Sequence, residues 1–289
     1  MSRHPSNQPP DPATIRSLSL PGVGGIAIGD PTEPALICLH GWGGSKEIWR
    51  RFLTLHGHGR YIVSLDMPGT WGSTPLDAWG SEQLVGWLFE TADRLGIERF
   101  SLMGHSMGGN TAAHAALFAP KRIEKLILVN AAVYSDRLPV TRAYVAPGHG
   151  PFVVELARIG SGIANSISVL FPERNSGGTW RPWLRRCGYV YHHNKAGVMH
   201  NQLKAMVESP FTPLLLPGSL PVLVVHGERD TVVPVALARK LWDDLSKRDG
   251  VSDRSRLIVY PHAQHVPMDT DPLGFARDIR AFLDSGEEA

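Results

Sequence analysis

The sequence predicts an α/β fold, a mostly parallel sheet covered by helices on both faces. Short, continuously apolar runs such as Ala35–Leu39 (A-L-I-C-L) and Lys125–Val129 (K-L-I-L-V) have the pattern of strands buried on both sides. Amphipathic stretches of helical period lie between such runs, so strand and helix alternate along most of the chain. The third observation is Phe100–Gly109, F-S-L-M-G-H-S-M-G-G, which reads as strand, tight turn and small-residue helix.

Taken in order, residues 1–14 are polar and proline-rich and are expected to form a disordered tail. Ser17–Ile28 suggests a β-hairpin, punctuated by Pro21, Gly22 and Gly24-Gly25. Ala35–Leu39 is a central strand that runs into the glycine-rich loop His40–Gly44. Ser45 is placed to cap a helix to about Leu55, with Ile48, Phe52 and Leu55 on one face. Tyr61–Leu65 is the next strand. Ser81–Leu95 is a helix that Ser81 is expected to cap, with Leu84, Leu88, Thr91 and Leu95 at helical spacing. The elbow strand is Arg99–Met103, and Met107–Ala119 follows as a helix. After Lys125–Val129 the rhythm stops. From about Ala132 to Pro217, proline, glycine, aromatic and histidine residues crowd together. Regularity returns with the strand Pro221–His226, the helix Val235–Lys247, the strand Arg256–Tyr260 and the helix Pro272–Asp284. The division expected is a core of residues 15–133 and 217–289, with 134–216 inserted.

Composition narrows the function. The 289 residues are 43% apolar and 19% charged, as in a globular protein with a sizeable core. A formal charge of +2 without dense Lys/Arg blocks gives no reason to expect nucleic acid as a partner. The 13 histidines form no metal-binding array, and no metal or cofactor is implied. Cys38 and Cys187 make no disulfide framework, which points to a reducing cytoplasm, with Cys38 a buried thiol. No leading segment resembles a signal peptide, no run is long enough to span a membrane, and no membrane partner is expected.

In a parallel sheet of this kind, ligands bind beyond the carboxyl ends of the strands. The residues to inspect are therefore His40–Gly44, Asp66–Gly69, Ser106, Asn130, Asp230 and His262–His265. Gly104-His105-Ser106-Met107-Gly108 is a G-x-S-x-G pentapeptide in strand–turn–helix context, the setting of a nucleophile elbow. A serine at such a turn has a strained backbone, and its flanks must lack side-chain bulk. Its hydroxyl needs an adjacent base, and the base needs a carboxylate to fix its tautomer. Asn130 is not a carboxylate and is expected to be only a polar strand-end residue.

The chain resembles proteins of the α/β-hydrolase fold, of the cap-bearing esterase and carbon–carbon hydrolase type. The matching pieces are L-H-G-W-G-G at Leu39–Gly44, D-M-P-G-T-W-G-S at Asp66–Ser73 and G-H-S-M-G-G at Gly104–Gly109. G-E-R-D-T-V-V-P at Gly227–Pro234 and H-V-P-M at His265–Met268 complete them. The resemblance implies Ser106 as nucleophile, Asp230 as acid and His265 as base, with Glu228 the rival acid and His262 the rival base. Where the family usually has a glycine-alanine-glycine-histidine turn, Pro261-His262-Ala263-Gln264-His265 replaces both glycines. Oxyanion donors are expected from the backbone N–H groups of Trp42 and Met107. The insert 134–216 is expected to be a helical cap, whose Trp180, Trp183, Tyr189, Tyr191 and Met199 could line a pocket or pack the cap on the core. His192, His193 and His200 are given no role.

The activity expected is that of a serine hydrolase, carboxylesterase-like, cleaving a carboxylic ester or related small acyl compound through an acyl-enzyme. A serine rather than an aspartate at the elbow argues against an alkyl-enzyme route. Hydrolysis of a lactone, or of a carbon–carbon bond in a vinylogous diketone, would use the same residues. A non-catalytic binding protein on the same scaffold is the alternative from another class.

Overall fold

A computed structural model describes residues 14–56, 59–138, 141 and 195–286. The sheet has eight strands: β1 (Arg16–Ser17), β2 (Gly25–Ile28), β3 (Ala35–Leu39), β4 (Tyr61–Leu65), β5 (Phe100–His105), β6 (Ile123–Val129), β7 (Val222–Gly227) and β8 (Arg256–Tyr260). Their spatial order is 1-2-4-3-5-6-7-8. The β1–β2 hairpin joins antiparallel through β2 to β4, and every later pairing is parallel. Register aligns the strand ends, since Leu39 pairs with both Leu65 and Gly104, His105 with Val129, and Gly227 with Tyr260. His40, Asp66, Ser106, Asn130, Asp230 and the Pro261–His265 loop therefore all follow one edge.

The apolar runs alternate between the two faces, as strand geometry requires. Ile37, Leu39, Leu102 and Leu128 face one layer with α2 (Ser81–Arg94), α3 (Met107–Phe118) and, after β7, Val235–Ser246. Leu36, Cys38, Met103 and Ile127 face the other, against Trp49, Phe52, Phe275 and Phe282. Those aromatics come from α1 (Arg50–His56), the 3-10 turn before it, and the final helix Pro272–Leu283. Each fully buried side chain of this size contributes about 1.5–3 kcal/mol. Cys38 lies in this second layer, and burial pushes its thiol pKa well up.

Several local expectations shift. Ser45 does cap, accepting from the Glu47 N–H, but the first turn is a 3-10 helix over Lys46–Trp49. Ser81 is the first residue of α2, not its cap; Gly80 holds that position without a side-chain bond. Both β5 and β7 run past the ends read from sequence, because parallel neighbours extend the hydrogen-bond ladder. Pro267–Thr270 forms a short helix before Pro272–Leu283. The end of that last helix is tied to the sheet: buried Lys125 donates to the carbonyls of Leu283 and Ser285, and Arg60 donates to Leu283 O at 3.0 Å.

Between β6 and β7 the described structure comprises a 3-10 turn at Ser135–Arg137, a helix at Ala196–Glu208 and a 3-10 turn at Pro213–Leu215. Trp180, Trp183, Cys187, Tyr189, Tyr191, His192 and His193 lie outside the described residues. Met199 is fully buried, and its carbonyl accepts a 2.9 Å hydrogen bond from Trp42 Nε1. Among the described residues, no helix is long and apolar enough to cross a membrane.

Candidate active site

Ser106 sits between β5 and α3 at φ 54° and ψ −115°, a backbone conformation that L-residues rarely adopt. The strain is held in place by close packing on both sides. A Cβ on Gly104 would lie 2.2 Å from Gly108 O, and one on Gly108 would lie 2.5 Å from His40 O. The neighbours there are backbone, which cannot step aside. Gly104→Ala is therefore expected to cost about 1–3 kcal/mol or more, measured as a lower Tm; an unchanged Tm would show that the elbow does not depend on this approach.

The loop after β3 presses on the same turn. A Cβ on Gly41 would stand 3.0 Å from the Cβ of Ser106 and 3.0 Å from His105 Nδ1. His40 fixes this loop. Its Nδ1–H donates to Gly41 O at 2.7 Å, and its Nε2 accepts from Met67 N–H at 2.9 Å. Asp66 is fully buried and accepts from Lys46 N–H at 2.8 Å and Lys46 Nζ at 2.7 Å. The Asp66–Ser73 motif is thus scaffolding for the glycine loop. Trp42, next in that loop, packs partly buried against the core. Met107 is the first residue of α3, so its N–H has no helical acceptor, and the positive end of the helix dipole falls there.

Across the edge, Asp230 follows β7 and is almost completely buried. Its Oδ1 accepts from Val232 N–H at 2.8 Å and Val233 N–H at 3.0 Å. Its Oδ2 accepts from His265 Nδ1–H at 2.8 Å and from Asn130 Nδ2–H at 2.6 Å, with His226 Nε2 at 3.4 Å. Burial alone would raise this carboxyl's pKa. The close approach of His226 and the hydrogen bonds from His265 and Asn130, with the charge of His265, outweigh burial and hold it well below the carboxylate range.

Asp230 and His265, 35 residues apart, are thus brought into direct contact. Glu228 is not; it points outward and accepts from Arg239 at 2.8 Å. His262 is exposed, with its Nδ1 3.4 Å from Arg229 Nη2. Among the described residues no hydrogen bond joins the Ser106 hydroxyl to the His265 ring; such bonds commonly tighten only with substrate in place. His105, the residue before Ser106, carries the two elements together. Its ring centroid is 4.7 Å from that of His265, and its Nε2–H donates to the His265 carbonyl at 2.8 Å. His105 and His226 stand beside this pair and were passed over in the sequence, while Asn130, expected to be only a polar strand-end residue, bonds the acid directly. The one signal available was position: each stands at or beside the end of a central strand.

Burial, with His265 close by, pushes the His105 pKa down to about 3. Burial also lowers His40 and His114. Linkage fixes the sign. These imidazoles take up a proton in the unfolded chain near 6.5 but resist it when folded, so their contribution is full above that pH. It is lost as pH falls from about 6.5 towards 3. Asp230 acts in the same sense at lower pH, its contribution being present above its unfolded value of 3.8 and lost as pH falls through the depressed folded value. Tm is expected to drop on acidification from about pH 6.5, less steeply in His105→Gln. Thermal unfolding from pH 7 to 4 checks this, and a flat profile would refute it.

A strained serine at a strand-to-helix turn, on the same edge of a doubly covered sheet as an aspartate–histidine pair, marks a hydrolase of the α/β class. The alpha/beta hydrolase family model matches residues 36–278, and the chain belongs to that family. It is similar to the pimeloyl-[acyl-carrier protein] methyl ester esterase of Nitrosomonas europaea, with 25% identity over 84% of this chain and 92% of that protein. The protein of the same name from Aeromonas hydrophila is 29% identical over 86% of this chain and 95% of its own length. Among solved structures, a bacterial membrane phospholipase A superposes with a TM-score of 0.74 at 22% identity, covering 96% of this chain and 88% of that one. At that identity the superposition speaks to the fold.

Proposed function

We propose that the protein is a serine hydrolase that cleaves a carboxylic ester of a small acyl group through an acyl-enzyme, with Ser106, Asp230 and His265 as its triad. The observation that carries the reading is the 2.8 Å bond from His265 Nδ1–H to Asp230 Oδ2, at the strand edge that also presents Ser106. That bond commits the imidazole proton to Nδ1 and leaves the Nε2 lone pair to act as base.

Ser106 Oγ attacks the ester carbonyl while His265 Nε2 takes the hydroxyl proton. The carbonyl oxygen becomes an oxyanion, held by the N–H groups of Met107 and Trp42. As the tetrahedral intermediate collapses, the ester C–O bond breaks and the imidazolium protonates the leaving alcohol. Water then attacks the acyl-enzyme, deprotonated by the same imidazole, and releases the carboxylic acid and Ser106. Each oxyanion donor contributes about 2.7–4 kcal/mol to transition-state stabilisation. Ala196–Glu208, within the expected cap 134–216, is tied to the glycine loop by the bond from Trp42 Nε1 to Met199 O, which supports a cap over this edge. The cysteine usage supports a cytoplasmic location. The likeness to methyl ester esterases over nearly their whole length favours an ester over a lactone or a vinylogous diketone.

A fluorophosphonate probe tests the reading. It is expected to label the native protein once, on the peptide containing Ser106. An unlabelled Ser106 in folded protein would instead support a non-catalytic member of the fold. A panel of esters, lactones and diketones then reads the substrate class.

A further inference from the structure

Asn130 follows β6, fully buried, at φ 43°. That left-handed conformation is uncommon outside glycine, and asparagine is among the residues that tolerate it best. Its backbone N–H donates to Val225 O at 2.8 Å. Its Nδ2 donates at 2.6 Å to Asp230 Oδ2 and at 3.2 Å to Gln264 O, and its Oδ1 is buried without a partner among the described residues. Both contacts of the amide nitrogen are oxygens that can only accept, so reversing the amide would set oxygen against oxygen twice. A left-handed backbone and an unpaired buried acceptor both oppose folding. One residue carries both, and its side chain reaches the acid and the loop that bears the base.

The loop needs such a tie. Pro261–His265 has lost the glycines usual at this turn, and its carbonyls are gripped one after another. Ala263 O accepts from Arg229 N–H at 3.0 Å, Gln264 O from Asn130 Nδ2 at 3.2 Å, and His265 O from His105 Nε2 at 2.8 Å. Of these donors only Asn130 also binds the carboxylate. The other groups facing Asp230 are His226 from β7, His265, and the N–H groups of Val232 and Val233. His105 from β5 faces His265, and His40 lies behind His105.

We propose that Asn130 is a positioning residue of the hydrolytic site, fixing Asp230 and the His265 loop to each other so that the carboxylate meets Nδ1. The proposal rests on the serine-hydrolase reading. It also predicts a charge effect. The Asn130 N–H draws on the negative charge of Oδ2. Without it, more of that charge stabilises the imidazolium, and the acidic limb of the kcat/KM profile moves to higher pH.

Asn130→Gly is the principal test, because glycine accepts φ 43° without strain while removing both donors. The expected result is a Tm close to the native value, relief of the left-handed backbone offsetting the loss of two donors to buried oxygens, with kcat lower by up to about 100-fold as orientation is lost, little change in KM, and the acidic limb moved up. Asn130→Asp keeps the shape and sets a carboxylate against Oδ2. It is expected to lower kcat further and to move the limb further. Native kcat with an unmoved limb in both variants would overturn the proposal. So would a fall in kcat that tracks a fall in Tm with the limb in place, since that describes only a folding role. Fluorophosphonate labelling of the native protein separates the two readings. A labelled, active native enzyme with indifferent variants sinks Asn130 alone. A native protein that neither labels nor turns over an ester sinks both.

Discussion

Ser106→Ala is expected to lower p-nitrophenyl ester turnover on the order of a million-fold, to the residual rate left by binding and oxyanion donors alone. Alanine has no hydroxyl to acylate, so turnover cannot pass through an acyl-enzyme. The fold should persist. Ser106 contributes its backbone to the architecture, donating to Val129 O at 3.0 Å and accepting from Ala132 N–H at 3.0 Å, and alanine retains both groups. Ser106→Gly separates chemistry from strain. At φ 54° glycine relieves a conformation that serine and alanine must bear, so this variant should be as inactive as Ser106→Ala but have a higher Tm. Steady-state assays with thermal unfolding check both. Native turnover in folded Ser106→Ala would rule out the mechanism.

His265→Ala should cost nearly as much as losing the nucleophile, because the members of such a set act as a unit. Without the imidazole nothing accepts the Ser106 proton, and Asp230 loses the 2.8 Å donor that gives its charge a purpose. His262→Ala should leave kcat/KM close to native. Its ring is exposed and its Nδ1 faces Arg229, on the solvent side of the loop that brings His265 inward. The two variants, assayed on one ester at one pH, decide the base. A larger loss from His262→Ala than from His265→Ala would reverse the assignment.

Much of this architecture was legible in the sequence because it rests on local regularities. Leu36 and Cys38 against Ile37 and Leu39 alternate as a doubly buried strand must, and Gly104 and Gly108 mark a turn where backbone meets backbone. Strand order and handedness then bring Ser106, Asp230 and the Pro261–His265 loop to one edge, as short parallel strands require. Ends were less legible. The cap of α2 and the lengths of β5 and β7 depend on what the neighbouring strand or turn offers, which no window of sequence contains.

By itself, then, the sequence determined a doubly covered parallel sheet, the serine at its elbow, and a short roster of candidate acids and bases at the strand ends. Only the tertiary structure set them apart by their contacts. It turned Glu228 outward to Arg239 and Asp230 inward to His265, and it made Asn130, His105 and His226 part of the site. The physical reason is that periodicity fixes which face a residue occupies, whereas a hydrogen bond needs two atoms within about 3 Å of each other. For Asn130 and Asp230, 100 residues apart, only the assembled sheet supplies that.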